Sequence, residues 1–132
     1  MYLGDTPECM LYAVCNAIYV PPSIVRKIIN IDGLKEIHGA PRGYHYMEMY
    51  PAIMKYGYHP VYIEKKPLLG QGNGFIEIDT DYITTMVKDN PCVLWDDKHV
   101  VAYNWPFFFC HRRGIIKSFD WEAGLVLTSV KD

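Results

Sequence analysis

Four short apolar runs in the last third of the chain constrain the fold more than any other feature. They cover residues 92–95, 99–105, 115–119 and 125–130. Runs of this length, rich in β-branched and aromatic residues, are typical of strands. Turn-forming residues separate them at 96–98, in a longer loop over 106–114, and around 122–124. We expect an antiparallel sheet, because consecutive strands with short connections pair in that way.

Helical patterns precede these strands. Helices are predicted over 7–19, 24–31 and 46–56, and a strand over 58–63 follows them. Between that strand and residue 92 the sequence predicts a glycine-spaced loop over 64–74, a short strand over 75–78 and a helix over 82–88. Helices followed by an antiparallel sheet indicate the α+β class. Because there is no repeat, linker or low-complexity segment, residues 1–132 are predicted to form one domain.

The start of the first helix contains a cysteine. Thr6 or Asp5 can cap the helix, and Pro7 suits its first position, where a missing N–H costs nothing. Cys9 is therefore expected in the first turn, where the positive end of the helix dipole favours a thiolate. A thiolate is a nucleophile if the rest of the chain supplies a base; otherwise Cys9 is a small core residue.

A base and an acid are expected near each other at the end of the predicted sheet. His99 begins the run 99–105. If this run pairs with 115–119 around a loop centred near Cys110, His99 lies opposite about Trp121, one residue from Asp120. Asn104 lies on the other face of the strand, since side chains alternate. Asp120 is therefore the better candidate to orient His99, as a carboxylate fixes the tautomer and stabilises imidazolium.

Composition excludes several classes of function. With 132 residues and a net charge of −2, the chain has no general attraction to nucleic acid. Its apolar runs are too short to span a bilayer, and no export signal opens the chain, so a cytoplasmic protein with four reduced cysteines is expected. The cysteines lack CxxC spacing, so neither a metal site nor another cofactor is predicted. A zinc site formed by these cysteines and the histidines stays open on a weak signal.

The order of these motifs resembles a papain-like cysteine peptidase, and most closely the compact bacteriocin-processing (double-glycine leader) peptidases. Four stretches carry the resemblance: Glu8-Cys9 at the start of an apolar helix, a helix and Gly57 before Tyr58–Ile63, Asn90-Pro91-Cys92-Val93-Leu94-Trp95 leading to His99-Val100-Val101-Ala102-Tyr103, and Ile116-Lys117-Ser118-Phe119-Asp120. The resemblance implies a papain-like α+β fold whose nucleophile helix is central and packs on the sheet.

The resemblance also implies a catalytic triad and a peptide substrate. Cys9 would be the nucleophile, His99 the general base and acid, and Asp120 the orienting group. The substrate groove would be shaped by an aromatic segment and a glycine loop: Tyr44, His45, Tyr46 and residues 70–74. The chain departs from the family where a glutamine normally donates to the oxyanion, since Leu3 stands at about that position. It also has Met10 and Leu11 where small residues normally follow the nucleophile.

Two functions remain open from the sequence. The first is a small intracellular cysteine peptidase or isopeptidase acting on a protein or peptide. The second is a non-catalytic binding module on the same fold, such as a phage or bacterial accessory factor or inhibitor, which the missing glutamine favours. The aromatic stretch 105–109 is expected either to plug the core or, if exposed, to form a partner-binding or homodimer surface.

Overall fold

The computed structural model describes residues 1–4, 7–29, 36–37, 40–41, 44–64 and 88–129. Three α-helices are described: α1 (Cys9–Ile18), α2 (Pro22–Ile29) and α3 (Tyr50–Lys55), the last preceded by a 3-10 turn at Tyr46–Met49. Eight strands are described: β1 (Glu36–Ile37), β2 (Ala40–Pro41), β3 (Tyr58–Glu64), β4 (Cys92–Trp95), β5 (Val100–Asn104), β6 (Phe107–Cys110), β7 (Gly114–Ile116) and β8 (Ala123–Ser129). Helices therefore precede most of the sheet, and the predicted α+β class is confirmed.

Six of the strands form one antiparallel sheet in the order β3-β8-β4-β5-β6-β7. The strand β8, last in sequence, lies between β3 and β4 and pairs with both. Its Gly124 has no room for a side chain, because a Cβ there would come within 2.5 Å of the Val93 carbonyl oxygen. The small hairpin of β1 and β2 pairs separately from this sheet.

The sheet has a different apolar cluster on each face. The helices cover one face, where Leu11 and Val14 of α1 pack with Val93 and Ala102. The other face carries a second cluster without helices, formed by eight buried residues: Ile63, Cys92, Leu94, Val101, Tyr103, Cys110, Trp121 and Val126. The alternation predicted along the 99–105 run is thus confirmed, since its odd-numbered positions Val101 and Tyr103 share the second face.

Helix α1 is the central helix. It packs mainly against β5, and every residue from Met10 to Ile18 except Tyr12 is buried. Glu8 is the N-cap, and Cys9 is the first helical residue, as the sequence predicted for the first turn. Thr6 and Asp5, the predicted caps, lie outside the described residues. The predicted first helical position of Pro7 is wrong, because the N-cap is Glu8 and α1 begins two residues after Pro7. The helix ends at Tyr19, which adopts φ 60° in the left-handed region and donates its N–H to the carbonyl of Cys15.

The predicted loop over 106–114 is wrong, because it contains the strand β6. Trp105-Pro106 forms a tight turn, so that Asn104 pairs with Phe107. The run at 115–119 pairs with β6 and not with β5, and its strand ends at Ile116. The register that placed His99 opposite Trp121 is therefore wrong, since β6 lies between the two strands it joined.

The remaining elements follow the predictions closely. The helix expected over 46–56 is divided into a 3-10 turn and α3, because Pro51 must lie at the start of the α-helix. Gly57 follows α3 with φ 86°, as a C-terminal glycine should. The predicted loop 70–74, strand 75–78 and most of the helix 82–88 lie outside the described residues. Among the described helices, none is long and apolar enough to cross a bilayer.

Candidate active site

The candidate nucleophile and the candidate base line the same cavity. Cys9 at the start of α1 and His99 at the start of β5 both border an open cavity of about 360 Å³, called here the front cavity. The described residues around it are Cys9, Met10, Tyr44, His45, Tyr46, Trp95, Asp96, Asp97, Lys98, His99 and Val100. Cys9 is partly exposed, whereas the other three cysteines are buried. The front cavity thus offers a substrate access to the Cys9 thiol and to the imidazoles of His99 and His45.

Aromatic rings form one wall of the front cavity. The ring of Tyr46 stacks on His45 with centroids 4.4 Å apart and on Trp95 with centroids 5.1 Å apart. Tyr62 extends the group, 5.6 Å from Tyr46. The predicted groove residues Tyr44, His45 and Tyr46 all line this cavity. Flat apolar walls of this kind suit an extended peptide, since aromatic side chains give large contact areas with few rotatable bonds.

A buried ion pair supports the start of α1. The Glu8 carboxylate accepts hydrogen bonds from Arg26 Nη2 at 2.7 Å and from the Tyr44 hydroxyl at 3.0 Å. Glu8 is 3% exposed, so its charge depends on these partners. Burial and the bond to Glu8 raise the pKa of Tyr44 to about 12. The residue directly before Cys9 is therefore tied to both α2 and the cavity wall.

The turn between β4 and β5 holds His99. The Asp96 carboxylate accepts from the backbone N–H groups of Lys98 and His99, both at 2.8 Å, and the His99 carbonyl accepts from Asp96 N–H at 3.1 Å. These bonds close the predicted turn at 96–98 and fix the backbone of His99. The imidazole is half-buried.

The nearest described polar partner of the His99 ring is a different cysteine. His99 Nε2 lies 3.1 Å from Cys110 Sγ, at the end of β6. The ring also stacks on His111, with centroids 5.6 Å apart, and His111 in turn stacks on Tyr12 of α1 at 5.3 Å. Because Nε2 contacts Cys110, Nδ1 is the ring nitrogen that remains for a hydrogen bond to another group.

A second cavity lies behind His99. It measures about 320 Å³ and is called here the rear cavity; its described lining residues are Asp96, His99, Cys110, Arg112, Arg113, Ile116, Ser118 and Phe119. Ile116, Phe119 and Cys110 belong to the cluster on the face without helices. His99 and Asp96 border both cavities, so the imidazole separates two chemically different spaces.

Burial sets the protonation of these groups. Desolvation lowers the pKa of His99 below 6.5, and the nearby charge of His111 lowers it further, while Asp96 partly opposes them. The imidazole is therefore mostly neutral near pH 7, as a general base must be. Burial raises the pKa of Cys15 and of Cys92 to about 12 each, so these two thiols stay protonated.

Asp120 lies on the connection from β7 to β8 and is exposed. The backbone N–H of Glu122 donates to the Trp95 carbonyl, which brings this connection beside the end of β4. Asp120 is not among the described residues that line either cavity. Its role as the group that orients His99 stays a prediction.

The segment before Cys9 has no glutamine side chain to offer the front cavity. Leu3 is 60% exposed. Asn16, a possible substitute, is buried and engaged with the backbone N–H and carbonyl of Tyr2. Gly4 donates its N–H to the His111 carbonyl and lies against the Tyr12 ring, where a Cβ would come within 2.7 Å. The described N-terminal residues therefore hold α1 and His111 in place through hydrogen bonds and packing.

Sequence reasoning missed Cys110 and His111. They fall in the stretch that was predicted as a loop, so no partner could be assigned to them. The signal that could have found them is the run Phe107-Phe108-Phe109, whose aromatic side chains favour a strand. A strand there, after the two-residue turn at Trp105-Pro106, brings the residues that follow it back to the level of His99.

No protein-family model and no curated protein matches this chain. Among solved structures, the chain is similar to a double glycine motif protease from an AMS/PCAT transporter, solved in complex with the leader peptide. The match covers 98% of this chain and 90% of the other, with a TM-score of 0.57 and 14% identity. At that identity the likeness establishes the fold. The chain has the papain-like α+β fold of double-glycine peptidases, as the resemblance of its motifs predicted.

Proposed function

We propose that this protein is a cysteine peptidase-like hydrolase that cleaves a peptide or isopeptide bond in the front cavity. The observation that carries the proposal is that Cys9, at the N-terminus of α1, and His99 line one open cavity. Cys9 would be the nucleophile, His99 the general base and acid, and Asp120 the group that orients the imidazole. The expected location is the cytoplasm of a bacterium or a phage-infected bacterium.

The proposed reaction has two steps. Cys9 transfers its proton to His99, and Sγ attacks the carbonyl carbon of the substrate. The tetrahedral intermediate collapses to a thioester as His99 protonates the leaving amine. His99 then removes a proton from water, which hydrolyses the thioester. The Cys9 backbone N–H can donate to the oxyanion, because the first four N–H groups of an α-helix have no partner within it.

A peptide substrate is supported by the aromatic wall and by the structural neighbour, which was solved with a leader peptide. Tyr46 stacks on His45 and on Trp95, and all three rings line the cavity that contains Cys9. An extended peptide laid across them would present its carbonyl to the thiol. A peptide containing a Gly-Gly pair is therefore the first substrate to test.

The second candidate is a peptide-binding module without catalysis. Two observations favour it: Leu3 stands where the family has its oxyanion glutamine, and the nearest described polar partner of the His99 ring is Cys110. Loss of one oxyanion donor alone lowers kcat by about 10²–10³-fold. Such a module would use the aromatic wall to hold a peptide and leave it intact.

Thiol alkylation separates the two candidates. The reduced protein is treated with iodoacetamide near neutral pH, and the labelled cysteines are identified by mass spectrometry. A peptidase requires Cys9 to label fastest and to slow when His99 is replaced by Gln; Cys15 and Cys92 are silent because they are buried and protonated. The His99→Gln comparison is needed because exposure alone would favour Cys9.

Cleavage of the Gly-Gly peptide is measured in parallel for the wild type and for Cys9→Ser. Turnover that Cys9→Ser abolishes establishes the hydrolase. Binding of the uncleaved peptide by both proteins, with a Cys9 labelling rate that does not depend on His99, identifies the binding module.

A further inference from the structure

Three side chains that commonly bind metals meet behind the β4–β5 turn. The ligand atoms of His99, Cys110 and His111 all lie within 4.8 Å of one another, and His99 Nε2 is 3.1 Å from Cys110 Sγ. We propose that these three residues bind a zinc-type divalent cation at the junction of His99 and the rear cavity. The sequence predicted no metal site, because the ligands come together only through the register of β5 and β6.

The distances suit a tetrahedral ion after small side-chain rotations. Zinc binds thiolate sulfur at about 2.3 Å and imidazole nitrogen at about 2.1 Å, so ligand atoms on one tetrahedron are about 3.5 Å apart. To bind the ion, His99 Nε2 and Cys110 Sγ must move slightly apart from their present 3.1 Å. Ligand atoms that are now up to 4.8 Å apart must move closer together. His99 is half-buried just before β5, so of the three ligands its side chain is the one least enclosed.

The donor set selects the class of metal. One thiolate and two imidazoles suit zinc and its neighbours in the first transition row, whereas magnesium and calcium prefer oxygen ligands. Three protein ligands leave a fourth position for water. The rear cavity of about 320 Å³ borders both His99 and Cys110 and supplies the path by which the ion and that water enter.

Burial and packing hold two of the ligands in place before the ion arrives. Cys110 and His111 are 3% and 2% exposed. Tyr12 stacks on the His111 ring, and Gly4 N–H donates to the His111 carbonyl at 2.8 Å. A site whose ligands are already fixed loses little conformational entropy on binding, which favours affinity.

Two negative groups near the cluster offset part of the positive charge of the ion and of the nearby arginines. The ion displaces the thiol proton of Cys110, and the resulting thiolate neutralises half of its charge. Arg112 and Arg113 line the rear cavity and repel a cation, but both are exposed, so solvent screens them. The Asp96 carboxylate lines the same cavity and offsets part of that repulsion.

Metal binding would switch off the proposed chemistry, a consequence that rests on the proposed function. An imidazole that binds an ion through Nε2 keeps its proton on Nδ1 and has no lone pair left to accept another. His99 could then take no proton from Cys9. The ion and the proton of the Cys9 thiol therefore compete for the lone pair of one imidazole, which makes the rear cavity a site of inhibition by free zinc.

Co²⁺ is used as the probe, because it occupies zinc sites and, unlike Zn²⁺, gives a charge-transfer absorption band when a thiolate binds it. Reduced, reductant-free protein is titrated with Co²⁺, followed by displacement with Zn²⁺. We expect one Co²⁺ per chain, with a thiolate-to-cobalt charge-transfer band that Zn²⁺ removes. The band should persist in Cys9→Ser and in Cys92→Ser, a buried thiol on the same sheet face, and disappear in Cys110→Ser.

The histidine ligands are tested by a matched pair. His99→Gln should weaken Co²⁺ binding at least tenfold, whereas His59→Gln, an exposed histidine on β3, should leave it unchanged. Thermal unfolding without metal shows whether Cys110→Ser folds. If it does not fold, the effect of His99→Gln on Co²⁺ binding tests the proposal instead. Absence of the band in the wild type, or its survival in folded Cys110→Ser, overturns the proposal. The band does not depend on turnover, so a failure of the proposed peptidase activity is seen separately in the alkylation and cleavage assays.

Discussion

The two cavities on either side of His99 contain similar groups in different settings. The front cavity has a partly exposed cysteine at a helix start, an aromatic wall and open access. The rear cavity has a buried cysteine at a strand end and two arginines, and His111 stacks on the His99 ring outside its lining. A thiol in an accessible place beside a helix dipole suits attack on a substrate, whereas a buried thiol between two imidazoles suits an ion. The surroundings of each cysteine, and not its mere proximity to His99, distinguish the two chemistries.

The largest expected effect on activity comes from replacing His99, the histidine that lines both cavities. His99→Ala should lower peptide cleavage on the order of 10⁴-fold, because the base and acid of the proposed reaction is gone. The same variant should slow the labelling of Cys9 and weaken Co²⁺ binding. Cleavage kinetics, alkylation and cobalt absorbance are measured on one preparation, with His59→Ala as the control. If Cys9 labels as fast in His99→Ala as in the wild type, the front cavity contains no activated thiol.

The second variant should affect the front cavity and leave metal binding at the rear cavity unchanged. Arg26→Ala leaves the Glu8 carboxylate buried with Tyr44 as its remaining partner among those described above, and should cost about 3 kcal/mol of unfolding free energy. In a chain of this size that lowers Tm by about 10 °C. Thermal unfolding measures the loss, with Lys27→Ala, an exposed residue of the same helix, as the control.

Below its melting temperature, Arg26→Ala should also slow Cys9 labelling, because the Arg26–Glu8 pair holds the residue directly before the thiol against α2. Co²⁺ binding should be unchanged, since none of its ligands contacts Arg26 in the described part of the chain. A Tm loss no greater than that of Lys27→Ala would show that the ion pair does not support the front cavity.

The smallest of the three effects concerns the group that orients His99. Asp120→Asn should lower kcat/KM about a hundredfold, less than the roughly 10⁴-fold known for a buried orienting aspartate, because Asp120 is exposed to solvent. Steady-state cleavage measures it, with Glu122→Gln as an exposed control two residues away. An unchanged rate in Asp120→Asn together with a reduced rate in Cys110→Ser would assign the orienting role to the rear cysteine.

Local signals predicted the elements that carry Cys9 and His99 to within two residues. Pro7 before Cys9 marks a helix start, and Asp96-Asp97-Lys98 marks the turn that leads to His99; both predictions depend on neighbours in sequence. The strand β4 was predicted with its observed bounds, since an apolar run between Pro91 and Asp96 admits little else. The fold followed from the order of such elements, and the structural neighbour confirms it.

The rear cavity could not be predicted in the same way, because it depends on register. Treating 106–114 as a loop removed one strand and displaced every later pairing. Cys110 then had no neighbour, and Asp120 was placed beside His99 by a hairpin that does not form. A strand's partners are set by side-chain packing across the sheet, which residue-by-residue propensity does not report.

The place of β8 in the sheet also governs when the site can form. Residues 123–129 insert between β3 and β4, so these two strands have no common partner until the ribosome has synthesised β8. Pairing β3 with β8 joins segments more than sixty positions apart in sequence, and such non-local contacts form slowly. A nascent chain that already contains Cys9, His99 and Cys110 therefore lacks the assembled sheet that aligns them. The proposed reactivity of Cys9 is therefore expected to begin only when the sheet is complete.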